Sequence, residues 1–176
     1  MSYANTTHKA STSNVRPLFN KVEFPFGWTT RRVLAGPYQN RPRDVWGVNL
    51  MAEQPTLPAK VKLLIKDFAT PTKTEMSLAL EHIVVAMMSK EPVYIGCRGG
   101  LGRTGTVLGC LAVTLGVPGD PVLWVRENYH PHAIETYAQE RYVRDFEPDD
   151  SIISTLAPAK FYALFWFWKR EKLTSR

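Results

Sequence analysis

The chain has 176 residues, 44% of them hydrophobic, which suffices for one well-buried core, and its composition shows no shift that would demand a second domain. Two cysteines exclude a disulfide framework and make a reducing compartment, by default the cytoplasm, the expected setting. A net charge of +6 and a pI near 9.4 favour anionic partners without naming one: phosphoproteins, nucleic acid and anionic lipid all fit.

In chain order, residues 1–20 read as a flexible leader, polar and rich in Ser, Thr and Asn, without the apolar core of a signal peptide. The domain proper is expected over 21–150, beginning with a strand at 31–35. The loop that follows carries Tyr38, Arg41 and Arg43, either at the rim of a site or in solvent. Strands are expected at 45–51 and 61–66, then a helix over 74–89. Thr72 and Glu75 have capping-box spacing ahead of it, and Met76, Leu80, Ile83, Val84 and Met87 trace its core face. The run 92–96 reads as a buried strand, and Val107, Leu108, Leu111 and Leu115 mark the face of a second helix, in which Cys110 reads as a core residue. Asp120 is placed to cap a helix from Pro121 to Tyr129. His130 and His132 read as loop residues without ligand-spaced partners. A last helix of the domain starts at Thr136 and runs through Tyr142, Val143 and Phe146. Residues 151–176 are expected to form an aromatic-rich helix with Phe161, Leu164, Phe165 and Trp168 on one face. It is too short to cross a bilayer; docking on the domain is its favoured role, ahead of a dimer interface or membrane-surface contact through 158–172.

Between the 92–96 strand and the second helix lies Cys97-Arg98-Gly99-Gly100-Leu101-Gly102-Arg103-Thr104. Three glycines let successive N–H groups of residues 98–102 converge on one oxyanion, and the helix N-terminus adds its partial positive charge there. A thiol beside a helix N-terminus and a guanidinium is biased towards the thiolate, which makes Cys97 a nucleophile. The planar fork of Arg103 suits two equatorial oxygens of a phosphoryl group, a geometry lysine cannot reproduce. Thr104 can hydrogen-bond the sulfur and assist its departure.

This segment resembles the signature of the cysteine-dependent protein-tyrosine and dual-specificity phosphatases: Cys, five residues, Arg, then Ser or Thr. The chain length resembles the compact dual-specificity branch. The resemblance covers roughly residues 30–147. It implies an α/β single domain, a phosphotyrosine phosphatase-like fold with a central, mainly parallel sheet flanked by helices and the site at the sheet's carboxyl edge. It further implies hydrolysis of a phosphate monoester through a cysteinyl-phosphate intermediate, with neither metal nor other cofactor. The family's general acid is an aspartate some thirty residues upstream of the cysteine. Asp67, at the end of the apolar run 63–65 and before Pro71, resembles it. The segment 133–139 resembles the one whose glutamine places the hydrolytic water; Gln139 also stands at capping-box spacing from Thr136, and the two roles remain open side by side. One departure stands out: Gly96 occupies the position where the family usually carries histidine. The expected substrate is a phosphorylated protein, with nucleic acid less favoured. The alternatives are a weak or inactive phosphate-binding pseudophosphatase, or a phosphatase acting on phosphoinositide or RNA 5′-phosphate.

Overall fold

The computed structural model describes residues 19–156. Its first element was not expected from the sequence. Asn20–Phe26 (β1) buries Val22, Phe24 and Phe26 on alternate positions and pairs antiparallel with Thr29–Pro37 (β2). The two strands are joined at Gly27-Trp28, where Gly27 has φ +60. Pro25 has no N–H to donate to a ladder, and β1 is the sheet's edge strand, where that costs least.

The other strands are Trp46–Met51 (β3), Val61–Ile65 (β4) and Val93–Cys97 (β5), giving a sheet in the order β1-β2-β5-β3-β4. All pairs except β1–β2 are parallel. All five residues of β5 are buried, as expected for a strand in the middle of a parallel sheet covered on both faces.

Four helices follow the expected order: Lys73–Met88 (α1), Gly102–Leu115 (α2), Pro121–Asn128 (α3) and Tyr137–Arg144 (α4). The capping residues act as their spacing predicts. Thr72 and Glu75 bond reciprocally at the start of α1, Asp120 accepts from the N–H groups of Val122 and Leu123, and Thr136 and Gln139 form the box that opens α4. The predicted core face of α1 is buried throughout. Cys110 is buried in α2, and its thiol is pushed well up by that burial. A short helix at 150–156 packs Ile152 and Leu156 into the same core. Most of the expected leader, and the aromatic stretch from Phe161 to Trp168 with the 158–172 surface proposed for it, lie outside the described residues.

Residues 36–38 lie beside the β5 carboxyl end, where Pro37 pairs with Cys97, but the rest of the 36–43 loop leaves that rim. Tyr38 is buried, its hydroxyl donating to the Pro58 carbonyl at 2.7 Å, and Arg41 stacks over its ring. Arg41 and Arg43 instead line a cavity with Trp46 and Pro92, at the amino-terminal ends of β3 and β5. That is about 13 Å along the strand from Cys97, at ~3.3 Å per residue. The chain doubles back after β2 to enter β3 in parallel, and it carries these arginines to the far edge.

Candidate active site

β5 delivers Cys97 to the carboxyl edge of the sheet, and α2 begins five residues later. The sharp turn between them depends on Gly100, at φ +77, a backbone conformation that side chains rarely adopt. A Cβ on Gly100 would also lie 2.6 Å from the backbone of Gly36 and Pro37. The loop is therefore seated against the end of β2. Two buried tyrosines fix it further: Tyr129 donates its hydroxyl to the Gly100 carbonyl, and Tyr94 donates to the Pro37 carbonyl at 2.7 Å. Burial first, and then the nearby Cys97 charge, push both phenols above their ordinary range, so both stay neutral donors.

Cys97 is 3% exposed. Its sulfur accepts from the Gly100 N–H and from the Thr104 hydroxyl, each at 3.2 Å, and its own N–H donates to Thr104 Oγ1 at 3.0 Å. Leu101 stands at the N-cap of α2 and offers no side-chain cap, so the helix's first N–H groups remain directed at the loop.

Arg103 lies in the first turn of α2, 2% exposed, and its guanidinium is almost fully engaged. Nη1 donates to Glu53 Oε2 at 2.7 Å and to the Ile65 carbonyl at 3.0 Å; Nη2 donates to Glu53 Oε1 at 2.9 Å. Asp67 Oδ1 lies 3.0 Å from Nη2 as an ion pair. Burial works against the charged guanidinium, and Glu53, Cys97 and Asp67 together more than restore it, leaving Arg103 above its ordinary value. The same hydrogen bond from Arg103 holds the Glu53 carboxyl below the usual carboxylate range.

Glu53 is the site residue that the sequence reading missed. It sits in the turn between β3 and β4, and that turn is built by a buried side chain: Asn49 accepts from the Met51 N–H and donates to the Gln54 carbonyl. No motif announces it. The available signal was position, since a carboxylate just after the carboxyl end of a parallel strand points into the crevice where such sheets bind ligands.

Asp67 follows β4 in a tight turn closed by the Ala69 N–H on the Lys66 carbonyl, with Phe68 at φ +59. α4 braces this turn. Thr136 donates to the Phe68 carbonyl at 3.5 Å, Gln139 Nε2 to the Ala69 carbonyl at 3.4 Å, and the Tyr142 hydroxyl to the Thr72 carbonyl at 3.3 Å. Gln139 is fully buried: its Oε1 accepts from the Glu135 and Thr136 N–H groups as a cap, and the same amide sits over Gly102 of the phosphate loop.

Packing accounts for Gly96. A Cβ there would lie 2.6 Å from the Gly36 carbonyl oxygen and 2.9 Å from the Tyr38 Cα. All the close atoms are backbone, so the turn after β2 takes the room that a side chain at position 96 would need.

The fold thus collects Cys97, the 98–102 loop, Arg103, Thr104 and Asp67 at one edge, adds Glu53, and sets Gln139 behind the loop. Comparison with known proteins supports the fold and the kind of domain. Residues 48–159 match the family model described as Swiss Army Knife protein, DSP-PTPase phosphatase domain. An uncharacterized protein of Methanocaldococcus jannaschii is 38% identical over 82 residues, 47% of this chain and 51% of that one. The structure of Tk-PTP in its active form superposes with a TM-score of 0.50 at 28% identity, covering 60% of this chain and 80% of that one. The structure of DUSP15 gives 0.59 at 12% identity, over 79% and 96%, and shares the fold. The matched region spans between 51% and 62% of the length of the curated relatives.

Proposed function

The chain belongs to the DSP-PTPase phosphatase domain family, and from that premise we propose that it hydrolyses phosphate monoesters through a cysteinyl-phosphate intermediate. The observation that carries this reading is the sulfur of Cys97, hydrogen-bonded by Thr104 and Gly100 beneath a helix N-terminus without a side-chain cap. A phosphoryl group seated on the loop N–H groups presents its phosphorus to that sulfur. The thiolate attacks, the S–P bond forms and the P–O bond to the leaving group breaks, while Asp67 gives its proton to the departing oxygen. Water then attacks phosphorus and passes a proton to the Asp67 carboxylate. The S–P bond breaks with its electron pair returning to sulfur, and orthophosphate leaves.

Arg103 can give a phosphoryl oxygen a bond from Nη2 only where Asp67 Oδ1 now lies. Seating the substrate therefore moves Asp67 off the guanidinium and towards the leaving oxygen, where the freed carboxylate takes up from solvent the proton it then donates, coupling binding to placement of the acid. Glu53 stays on the opposite edge of the fork and keeps it aimed. The packing at Gly96 argues for an active enzyme rather than a pseudophosphatase, since the missing histidine reflects how β2 turns and leaves the donors on sulfur in place.

A small aryl phosphate tests the reaction. Cys97→Ser should abolish turnover while retaining phosphate binding, because the cradle is mostly backbone and a serine hydroxyl is a poor nucleophile. Turnover by the serine variant near the wild-type rate refutes the covalent route.

A further inference from the structure

The acid locates the leaving group. Whatever oxygen Asp67 protonates must lie within hydrogen-bond reach of it, so the leaving group enters the space that Asp67 lines. That space is a cavity of about 450 Å³ walled by Ala52, Glu53, Lys66, Asp67 and Arg98. It is of the size usual for small-molecule sites, roughly 300–1,000 Å³. Its lining suits an anion rather than a tyrosine ring: the single apolar contribution is Ala52, and no aromatic side chain takes part.

Its charges are unbalanced. Both wall carboxylates are committed to Arg103, Glu53 through two hydrogen bonds and Asp67 through its ion pair. Lys66 has no carboxylate partner among the described residues. Arg98 is 65% exposed and reaches only Glu53 Oε1, at 3.7 Å, an oxygen that already accepts from Arg103. Lys66 thus has no anion and Arg98 only a share of one, and both face the leaving-group side.

We propose that the substrate carries a second phosphate on its leaving group, held by Lys66 and Arg98 while the scissile phosphate sits on Cys97. This rests on the phosphatase reading above and directs it to small molecules with two neighbouring phosphates, whether the bond cleaved is an ester or an anhydride. The second phosphate can belong to a polyol ring or to a phosphoanhydride chain; the recognition chemistry is the same.

Binding to full-length Cys97→Ser protein tests this without turnover. Orthophosphate, pyrophosphate and an inositol bisphosphate with phosphates on adjacent carbons are titrated by calorimetry at fixed ionic strength. At least one bisphosphorylated probe should bind about tenfold or more tightly than orthophosphate, as charge-assisted contacts to a second group require. A gain with the inositol probe alone assigns the polyol source, and a gain with pyrophosphate alone assigns the anhydride. Adding Lys66→Ala should remove most of the gain and leave orthophosphate affinity unchanged, whereas Lys21→Ala, on the far edge strand, should alter neither. Equal affinity for one and two phosphates overturns the proposal and spares the phosphatase reading, as does an equal loss for all three probes on Lys66→Ala. A phosphotyrosine peptide that binds more tightly than either bisphosphorylated probe overturns it too. Absence of orthophosphate binding overturns the phosphate cradle itself.

Discussion

Replacing Glu53 with glutamine keeps the side chain's shape and removes one acceptor and one charge from beneath Arg103. Glutamine offers a single oxygen and turns an N–H₂ towards the second Nη, so one of two charge-assisted bonds, at 2.7 and 2.9 Å, must be lost. Removing one partner of a buried ion pair costs about 3–5 kcal/mol. Glu53 is 28% exposed, and Arg103 keeps Asp67 and the Ile65 carbonyl, so the loss should lie nearer that of one hydrogen bond to a charged group, about 2–3 kcal/mol. For a chain of this size each kcal/mol shifts Tm by roughly 2–4 °C, giving a drop of about 4–12 °C. Because the guanidinium loses its aim, kcat/KM on an aryl phosphate should fall by about 10²-fold.

The stability difference should depend on pH in a set direction. Arg103 holds the Glu53 carboxyl below the ordinary carboxylate range in the folded protein. Its stabilisation is therefore fully present above the unfolded value, near ~4.3, and is lost as pH falls through the lower folded value. Melting curves of wild type and Glu53→Gln should be well separated at neutral pH and should converge in acid, where the wild-type carboxyl is itself protonated. A gap that persists unchanged through the acid range, or no gap at neutral pH together with normal kcat/KM, refutes the assignment of Glu53 as the support of the clamp.

Asp67→Asn should lower turnover by about 10²- to 10⁴-fold, with the penalty growing as the leaving group becomes more basic. A series of aryl phosphates checks this, and equal losses for good and poor leaving groups would move the acid to another carboxylate. Gly96→Ala should destabilise the fold by about 1–3 kcal/mol, since its Cβ meets backbone that must shift. Gly96→His should lose more stability and gain no activity; thermal melting and kcat/KM on one aryl phosphate check both, and a histidine variant as stable as wild type would show that the turn after β2 gives way.

What the sequence disclosed was whatever chemistry is local. The loop from Cys97 to Thr104 is contiguous, so the residue types that cradle an anion and their spacing are visible together. Thr72, Asp120 and Thr136 were equally legible as caps, because each acts on an N–H two or three residues away. Glu53 meets Arg103 across fifty positions of chain, through a turn whose shape depends on Asn49, and nothing in its immediate neighbours reveals that meeting. β1 was hidden for another reason. Pro25 and Gly27 broke the run that Val22, Phe24 and Phe26 would have drawn, and only its place at the sheet edge makes the proline tolerable. Gly96 read as a loss, because the backbone that fills its space comes from residues 36–38, sixty positions earlier.

The ion pair between Asp67 and Arg103 bears on how the reaction ends. Orthophosphate, the product of every phosphatase cycle, is the one ligand guaranteed to fit the cradle and so the natural poison of the site. Here the clamp carries its own anion on a short tether, always at high effective concentration, and free phosphate must displace it to stay. A built-in competitor lowers the affinity for whatever offers only a phosphate and nothing more. In the proposed cycle Asp67 leaves hydrolysis holding a proton from water; once it gives that proton up, the same carboxylate competes with the product for the clamp, and product inhibition is weakest in the enzyme that retains it.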